Sequence, residues 1–239
     1  MCYRKGETMY RLSHIQIKVK SIEQGINDFE KLGFTVERGG RNSRNAFIWF
    51  EQGAFIELLE MHNCDKIFGY FFGMIYGKAM KERWKKWCQN REGLIDFAIE
   101  PSDSYKLNID NFQIVRQEAQ EMTLYPSKVI TWSRRNIRGE KVCFSYLPIL
   151  PSSLPFFVSS YDIPQKPNKI IHRNGAKKIR YIDLTYDKDD YVIISNIIME
   201  DPYIRLHLGN TFRINSIGIE GLNRKLETRL LHKAKIERC

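Results

Sequence analysis

One pattern in the first quarter of the chain limits the fold more than any other feature. HIQIKV (14–19) alternates polar and apolar residues at the period of a half-buried strand. SIEQGINDFEKLG follows, with a capping box at Ser21 and Gln24 and an apolar helical face that ends at Gly33. FTVER, NAFIWF and AFIELLEM then have the composition of three strands separated by glycine or polar residues. Residues 12–61 are therefore predicted to form a βαβββ unit.

The same order recurs later in the chain. LIDFAIEPSDSYKLNIDNF (94–112) predicts a strand, a turn and a short helix, and ITWS, KVCFSYL and PFFVSSY predict three further strands. A third copy begins at IRYIDLTYDKDD (179–190). There the repeat favours a helix for VIISNIIM, whereas its β-branched residues favour a strand; we predict the helix. The closing NRKLETRLLHKAKIE has the pattern of a charged amphipathic helix.

These patterns predict an α+β chain with four segments. Residues 10–62 form a first βαβββ module and residues 93–162 a second, with a connecting aromatic and basic helical segment at 63–92 between them. Residues 170–239 form a partial third module and a C-terminal helix. In the connecting segment, Tyr76, Met80, Trp84 and Trp87 fall at helical spacing. It is either a helix packed through its tryptophans with a solvated basic face, or a lid or interfacial helix.

Composition narrows the class of protein. A chain of 239 residues with 43% hydrophobic content can bury a substantial core. Its start lacks the apolar region of a signal peptide, and no apolar run approaches the 18 or so residues of a membrane span. The five cysteines are odd in number and form no C-x-x-C pair, which argues against a disulfide framework and a zinc knuckle. We therefore expect a cytoplasmic protein without a transmembrane segment.

Glu57 is the residue that most needs an explanation. It places a carboxylate inside the apolar strand AFIELLEM, where an unpaired buried charge would cost several kcal/mol. The first and last strands of a βαβββ unit are commonly neighbours, so His14 and Glu57 are predicted to share an open sheet face, with Ile56 and Leu58 on the other. An imidazole beside a carboxylate is either two ligands for a divalent cation or an acid–base pair. A purely structural histidine is the third alternative.

At this point the sequence resembles a known family. RLSHIQIKVKSIEQGINDFEKLGFTVERGGR followed by NAFIWFEQGAFIELLE is similar to the first module of a glyoxalase-like domain of the vicinal oxygen chelate superfamily. HRNGAKKIRYIDLTYD also resembles a turn before the last module. The resemblance implies paired modules whose mixed sheets curl around a ligand funnel. Many members hold a divalent metal there for lyase, isomerase or dioxygenase-type chemistry, and others only sequester a small molecule.

Carried over by position, the resemblance implies a site. Its first-strand metal ligand falls on His14 and its fourth-strand ligand on Glu57, which would also be the catalytic residue. In the second module the corresponding positions are Asp96, a usable oxygen donor, and Ser159, where a glutamate is usual. The metal expected at His14, Glu57 and Asp96 is zinc, manganese, nickel or iron. The ligand-binding residues are predicted to be Trp49 and Phe55, which can stack a flat ligand, and His172 near the funnel mouth.

The leading hypothesis is a funnel that binds a small anionic molecule, with or without metal-dependent turnover. The first alternative is a non-catalytic binding protein of the same fold. The second is a nucleic-acid binder that uses the basic segment 78–91 and Arg134–Arg135, since the net charge is +10; no binding motif accompanies this charge, so it is disfavoured. A homodimer stays open as an alternative. Phosphate-loop, dinucleotide, nucleophile-elbow and H-E-x-x-H motifs are absent from the sequence.

Overall fold

The computed structural model describes residues 9–62, 65–89, 91–102, 111–199 and 201–239. The first module consists of β1 (Tyr10–Val19), α1 (Ile22–Lys31), β2 (Glu37–Arg38), β3 (Asn45–Ile48) and β4 (Phe55–Glu60). Helix α1 begins where the Ser21 side chain accepts a hydrogen bond from the backbone of Gln24. Its apolar residues Ile22 and Phe29 are buried against the sheet face that carries Ile56 and Leu58, opposite the funnel. The predicted βαβββ order is confirmed.

The second module repeats this order with a shifted helix. It consists of β5 (Gly93–Pro101), α4 (Phe112–Glu121), β6 (Ile130–Arg135), β7 (Lys141–Leu147) and β8 (Phe156–Val158). The short helix that the sequence predicts before Phe112 falls mostly on residues 103–110, which lie outside the described part of the chain. Phe112, Val115 and Ala119 of α4 are buried at one-turn spacing, as expected for a helix that covers a sheet.

The two modules share one curled mixed sheet. Its eight strands follow the order β2-β3-β4-β1-β5-β8-β7-β6, and β1 pairs with β5 in antiparallel fashion at the centre. The first and last strands of each module are parallel neighbours, β1 with β4 and β5 with β8. The two edges approach each other, because Arg134 on β6 donates a hydrogen bond to the carbonyl of Gly39 beside β2. The sheet thus curls around a funnel, as predicted.

The connecting segment covers the open face of this sheet. It forms α2 (Lys66–Tyr76) and α3 (Lys78–Gln89), which meet at Gly77. Met80 and Trp87 are buried, so α3 packs through part of its predicted apolar face. At the C-terminal end of α3, Lys18 on β1 donates to the carbonyls of Trp87 and Cys88 at 2.8 and 2.9 Å. A cation at this end also complements the helix dipole.

The third module is partial. It consists of β9 (Lys178–Tyr186), α5 (Lys188–Ile198), β10 (Ile204–Leu208), β11 (Arg213–Glu220) and β12 (Ile236–Arg238), in a second sheet of order β10-β9-β11-β12. Residues 192–198 of VIISNIIM lie in α5, which ends before Met199, so the predicted helix is confirmed. The Asp187 side chain caps it by accepting from the Asp190 backbone. Burial of Ile194, Ile197 and Ile198 against the sheet outweighs the β propensity of this segment.

The predicted C-terminal helix is wrong. Residues 223–237 form turns, a short 3₁₀ helix at Thr228–Leu230, and the start of β12. His232 and Lys233 have positive φ angles of 47° and 64°, which no α-helix accommodates. Leu226 and Leu231 are buried as an amphipathic helix would require, but the chain turns so that β12 can pair with β11. Strand pairing therefore overrides a helical pattern.

Among the described residues, no helix combines the length and apolarity needed to cross a membrane.

Candidate functional site

The strands of His14 and Glu57 are neighbours, as the sequence predicts. In the parallel pairing of β1 with β4, Gln16 lies opposite Glu57 and His14 lies opposite Phe55. Ile56 and Leu58 are fully buried on the core side of β4. Because side chains alternate along a strand, Glu57 faces the other way, into the funnel.

Four polar side chains form a cluster on the floor of the funnel, which we call the polar cluster: His14, Gln16, Asn45 and Glu57. Glu57 Oε2 accepts a hydrogen bond from Gln16 Nε2 at 2.8 Å, and Glu57 Oε1 accepts one from Asn45 Nδ2 at 2.7 Å. His14 Nε2 lies 3.5 Å from Glu57 Oε2. The carboxylate in the apolar strand is thus stabilised by two amide donors and an imidazole.

The electrostatics of the polar cluster favour a neutral imidazole. Burial lowers the pKa of His14 below its ordinary value, and the charges of Glu57 and Asp96 oppose this shift without cancelling it. Gln16 Oε1 is buried and has no hydrogen-bond partner among the described residues. The cluster therefore presents the Glu57 carboxylate as an acceptor to whatever occupies the funnel.

The funnel encloses a cavity of about 480 Å³. Aromatic side chains make up much of its wall, among them Phe47, Trp49, Phe55, Trp84, Trp132 and Phe144. Phe55 stacks on the His14 ring at a centroid distance of 4.8 Å and lies 4.4 Å from the Trp49 ring. The predicted ligand-binding residues Trp49 and Phe55 thus lie beside the polar cluster and line the same cavity.

Arg134 brings a positive charge to the cavity wall. Its guanidinium lies 5.0 Å from the Phe47 ring centroid and 5.8 Å from that of Tyr161. Burial raises the pKa of Tyr161, and the nearby Glu57 adds to the rise. Lys166 lines the cavity as well. The cavity therefore has an acidic floor and a basic part of its wall.

Asp96 does not join the polar cluster. Both of its oxygens accept from Arg83 Nη1 at 2.8 Å, Lys86 Nζ donates at 2.9 Å, and Trp87 Nε1 donates at 2.7 Å. Burial alone would raise the pKa of Asp96, but Arg83 and Lys86 outweigh it and hold that pKa below its ordinary value. Burial likewise lowers the pKa of Lys86 to about 8, although Asp96 opposes the shift. The carboxylate predicted as a metal ligand is thus held by α3.

His172 and Ser159 also have structural partners. His172 Nδ1 accepts from the Thr35 backbone at 2.9 Å, and its Nε2 lies 2.9 Å from the Trp49 carbonyl oxygen, so the ring joins the linker before β9 to the first module. His172 is not among the described residues that line the cavity. Ser159 lines it, but its hydroxyl accepts from the Ser145 backbone and donates to the Ser160 carbonyl.

The metal ligands expected from the resemblance are therefore only partly brought together. His14 and Glu57 meet, whereas Asp96 and Ser159 have other partners. Within the described ranges, no group of three or more His, Cys, Asp or Glu side chains is arranged to hold a metal ion. A catalytic zinc site typically uses three protein ligands. The described donor set does not fit a complete metal centre of this kind.

Sequence reasoning missed three residues of the site. Gln16 lies two positions after His14, so strand alternation alone could have placed it beside Glu57. Asn45 lies opposite Leu59 in the pairing of β3 with β4, and this register cannot be inferred from local sequence. Arg134 was considered only as part of a basic surface, because nothing in ITWSRR indicates that this edge strand curls back to the first module.

Comparison with known proteins agrees with this fold. The structure of a hypothetical protein from Staphylococcus aureus superposes with a TM-score of 0.67 at 14% identity, covering 97% of this chain and 100% of that one. The Mn(II)-bound glyoxalase from Novosphingobium aromaticivorans gives a TM-score of 0.55 at 9% identity, covering 95% and 70%. At these identities the likeness establishes the fold alone. No curated protein sequence matches the chain.

The family assignment comes from the sequence. The family model described as a glyoxalase-like domain matches residues 12–193, from the third residue of β1 through the second module and into α5 of the third. The match covers well over half of the chain. The protein therefore belongs to the glyoxalase-like domain family of the vicinal oxygen chelate superfamily.

Proposed function

We propose that the protein binds a small, flat, largely apolar molecule in the funnel cavity. The observation that carries this proposal is the cavity of about 480 Å³, which combines aromatic walls with the polar cluster on its floor. Concave, mostly apolar sites with a few convergent polar groups are the usual form of small-molecule sites. We also propose a cytoplasmic location, where thiols such as those of Cys143 and Cys239 stay reduced.

The charges of the cavity orient such a ligand. A hydrogen-bond donor of the ligand would meet the Glu57 carboxylate at the floor. The anionic group that the net charge suggests would instead lie toward Arg134 and Lys166, away from the Glu57 carboxylate. In this proposal His14 positions Glu57 and stacks on Phe55, and Glu57 acts as an acceptor for the ligand.

A fluorescent aromatic anion tests the proposal. Anilinonaphthalene sulfonate carries a flat ring system and one negative group, and we expect it to bind with increased emission. Phe55→Ala should weaken binding roughly fivefold, since an aromatic contact contributes about 1 kcal/mol beyond its buried area. Arg134→Gln should weaken it as well. Phe71→Ser, on the exposed side of α2, is the matched control and should leave cavity binding unchanged.

The proposal fails if the probe does not bind, or if Phe55→Ala and Arg134→Gln bind it as tightly as the wild type. Binding that is lost in Phe71→Ser and retained in Phe55→Ala would assign the probe to the surface of α2 instead. Thermal midpoints of the variants, measured alongside, separate loss of binding from loss of fold.

A divalent metal is the second candidate, and one observation favours it. The 3.5 Å between His14 Nε2 and Glu57 Oε2 suits two ligands of a common ion. Such an ion, whether zinc, manganese, nickel or iron, would supply Lewis acidity for lyase- or isomerase-type chemistry. Because Asp96 is held by Arg83 and Lys86, these two donors fall short of a complete site, and we derive no reaction step through a metal.

A further inference from the structure

Helix α2 presents a row of large apolar side chains to solvent. From Ile67 to Tyr76 the sequence has no charged residue. Six large apolar side chains in this stretch are between 52% and 75% exposed: Ile67, Phe68, Tyr70, Phe71, Met74 and Ile75. Exposed apolar residues are ordinary when they are scattered singly, but a contiguous patch on one short helix marks an interaction site.

The packing of α2 on α3 fixes which side stays exposed. A Cβ atom at Gly69 would lie 2.9 Å from Trp84 Cδ1, and one at Gly73 would lie 2.8 Å from Lys81 Cβ. The two glycines therefore let α2 approach α3 closely along one side. Phe72 packs on Trp84 at a ring distance of 4.8 Å and lines the funnel cavity. The remaining apolar side chains are left on the opposite side.

Positive charges flank the apolar row. Lys78 and Lys85 are exposed on α3, and Lys81 Nζ lies 4.5 Å above the Tyr70 ring. The sequence of α2 and α3 contains a single acidic residue, Glu82, which lies 3.9 Å from Lys85. Aromatic and aliphatic residues beside lysines are typical of helices that lie in the interface of a membrane.

We propose that α2 docks on an anionic lipid bilayer surface. Its apolar side chains would enter the boundary between headgroups and acyl chains, and Lys78, Lys81 and Lys85 would contact the anionic headgroups. With 11 residues, α2 is about 16 Å long, much shorter than the roughly 30 Å hydrocarbon core, so it would lie along the surface. In a symmetric dimer through the same face, by contrast, each patch would meet its own copy and bring like-charged lysines together.

Vesicle sedimentation tests this proposal on the full chain. The probes are phosphatidylcholine vesicles with and without phosphatidylglycerol. We expect binding to the anionic vesicles at low salt, and weaker binding at physiological salt. The pair Lys81→Glu with Lys85→Glu should reduce binding at least roughly 25-fold, since each lysine near an anionic surface contributes roughly fivefold. The pair Phe71→Ser with Met74→Ser should reduce it at least about tenfold.

The matched control replaces exposed apolar residues elsewhere, Tyr125→Ser with Ile137→Ser, and should bind like the wild type. Circular dichroism should show that all variants keep the fold, because the changed side chains are on the surface. The proposal is overturned if the wild type does not bind anionic vesicles at low salt, or if Phe71→Ser with Met74→Ser binds as well as the control. It is also overturned if sedimentation equilibrium shows a wild-type dimer that this pair dissociates, since a second copy would then occupy the patch.

Discussion

Arg83 and Asp96 form an ion pair in which both side chains are fully buried, with Arg83 Nη1 at 2.8 Å from each Asp96 oxygen. Arg83 Nη2 also donates to the Leu154 carbonyl at 2.7 Å, so one guanidinium joins α3 to the second module. In a buried pair the attraction offsets the loss of hydration when the two charges are in close, hydrogen-bonded contact, as they are here. This contact therefore fixes α3 over the cavity and withdraws Asp96 from the polar cluster.

Asp96→Asn should destabilise the protein strongly. It leaves Arg83 buried without its counter-ion, which typically costs about 3–5 kcal/mol in the free energy of unfolding. Urea denaturation measures the change. The matched control is Glu227→Gln, which removes an exposed pair with Arg229 and should cost at most about 1 kcal/mol. If the two variants were equally stable, Asp96 would not hold α3 in place.

The fold could be predicted from the sequence because its signals are local and repeated. Strand alternation in HIQIKV and AFIELLEM places His14 and Glu57 on one face without any structural knowledge. The capping residues around α1 likewise mark where that helix begins. At VIISNIIM the repeat predicts a helix although the β-branched residues favour a strand. The helix forms because its isoleucines are buried against the sheet.

The rest of the site depends on contacts between distant residues. Arg83 lies in a run of lysines, and nothing in KERWKKW distinguishes the one cation that is fully buried. Asp96 occupies the sequence position expected for a metal ligand, but its carboxylate is bound by Arg83 and Lys86. Only the packing of α3 against β5 shows this. The C-terminal segment has a helical pattern, yet pairing with β11 determines its structure.

The stability of the protein should depend on the protonation of His14. Burial lowers its pKa in the folded state, so below the ordinary value of about 6.5 the unfolded chain binds more protons than the folded one. The contribution of His14 to the free energy of unfolding is thus fully present above pH 6.5 and falls as the pH drops below that value. It stops falling once the pH is below the pKa of His14 in the folded state. His14→Gln removes this contribution, so its unfolding free energy should vary less with pH over this window. Parallel pH profiles for wild type and variant would contradict the assignment.

Added divalent metal should leave the thermal midpoint unchanged. A metal that binds only the folded state stabilises it by mass action, by about 2.7 kcal/mol at a concentration 100 times its dissociation constant, and so raises the midpoint. With two donors in place, His14 and Glu57, we expect no such rise with zinc, manganese, nickel or iron. Differential scanning calorimetry after chelator treatment measures it. A rise that His14→Ala abolishes would instead support the metal-dependent alternative.

The turn before β9 should tolerate no side chain at Gly175. Its φ of 77° lies in the left-handed region, which costs other residues roughly 1–2 kcal/mol. A Cβ there would also lie 2.6 Å from the carbonyl oxygen of Gly221, a backbone atom that cannot rotate away. Gly139 is the matched control, because its φ of 82° is similar and a Cβ would meet nothing within 4 Å.

Gly175→Ala should therefore lower the free energy of unfolding by more than Gly139→Ala does. Because both glycines have a similar positive φ, the difference between the two variants measures the clash with Gly221 alone. Crowding of this kind typically costs about 1–3 kcal/mol. Urea denaturation of the two variants gives both values. Because the turn also carries His172, which contacts the Trp49 carbonyl behind the cavity wall, Gly175→Ala should weaken binding of the aromatic probe as well. Equal destabilisation of the two variants would show that the turn relaxes around the new methyl group, and the predicted loss of probe binding would then not follow.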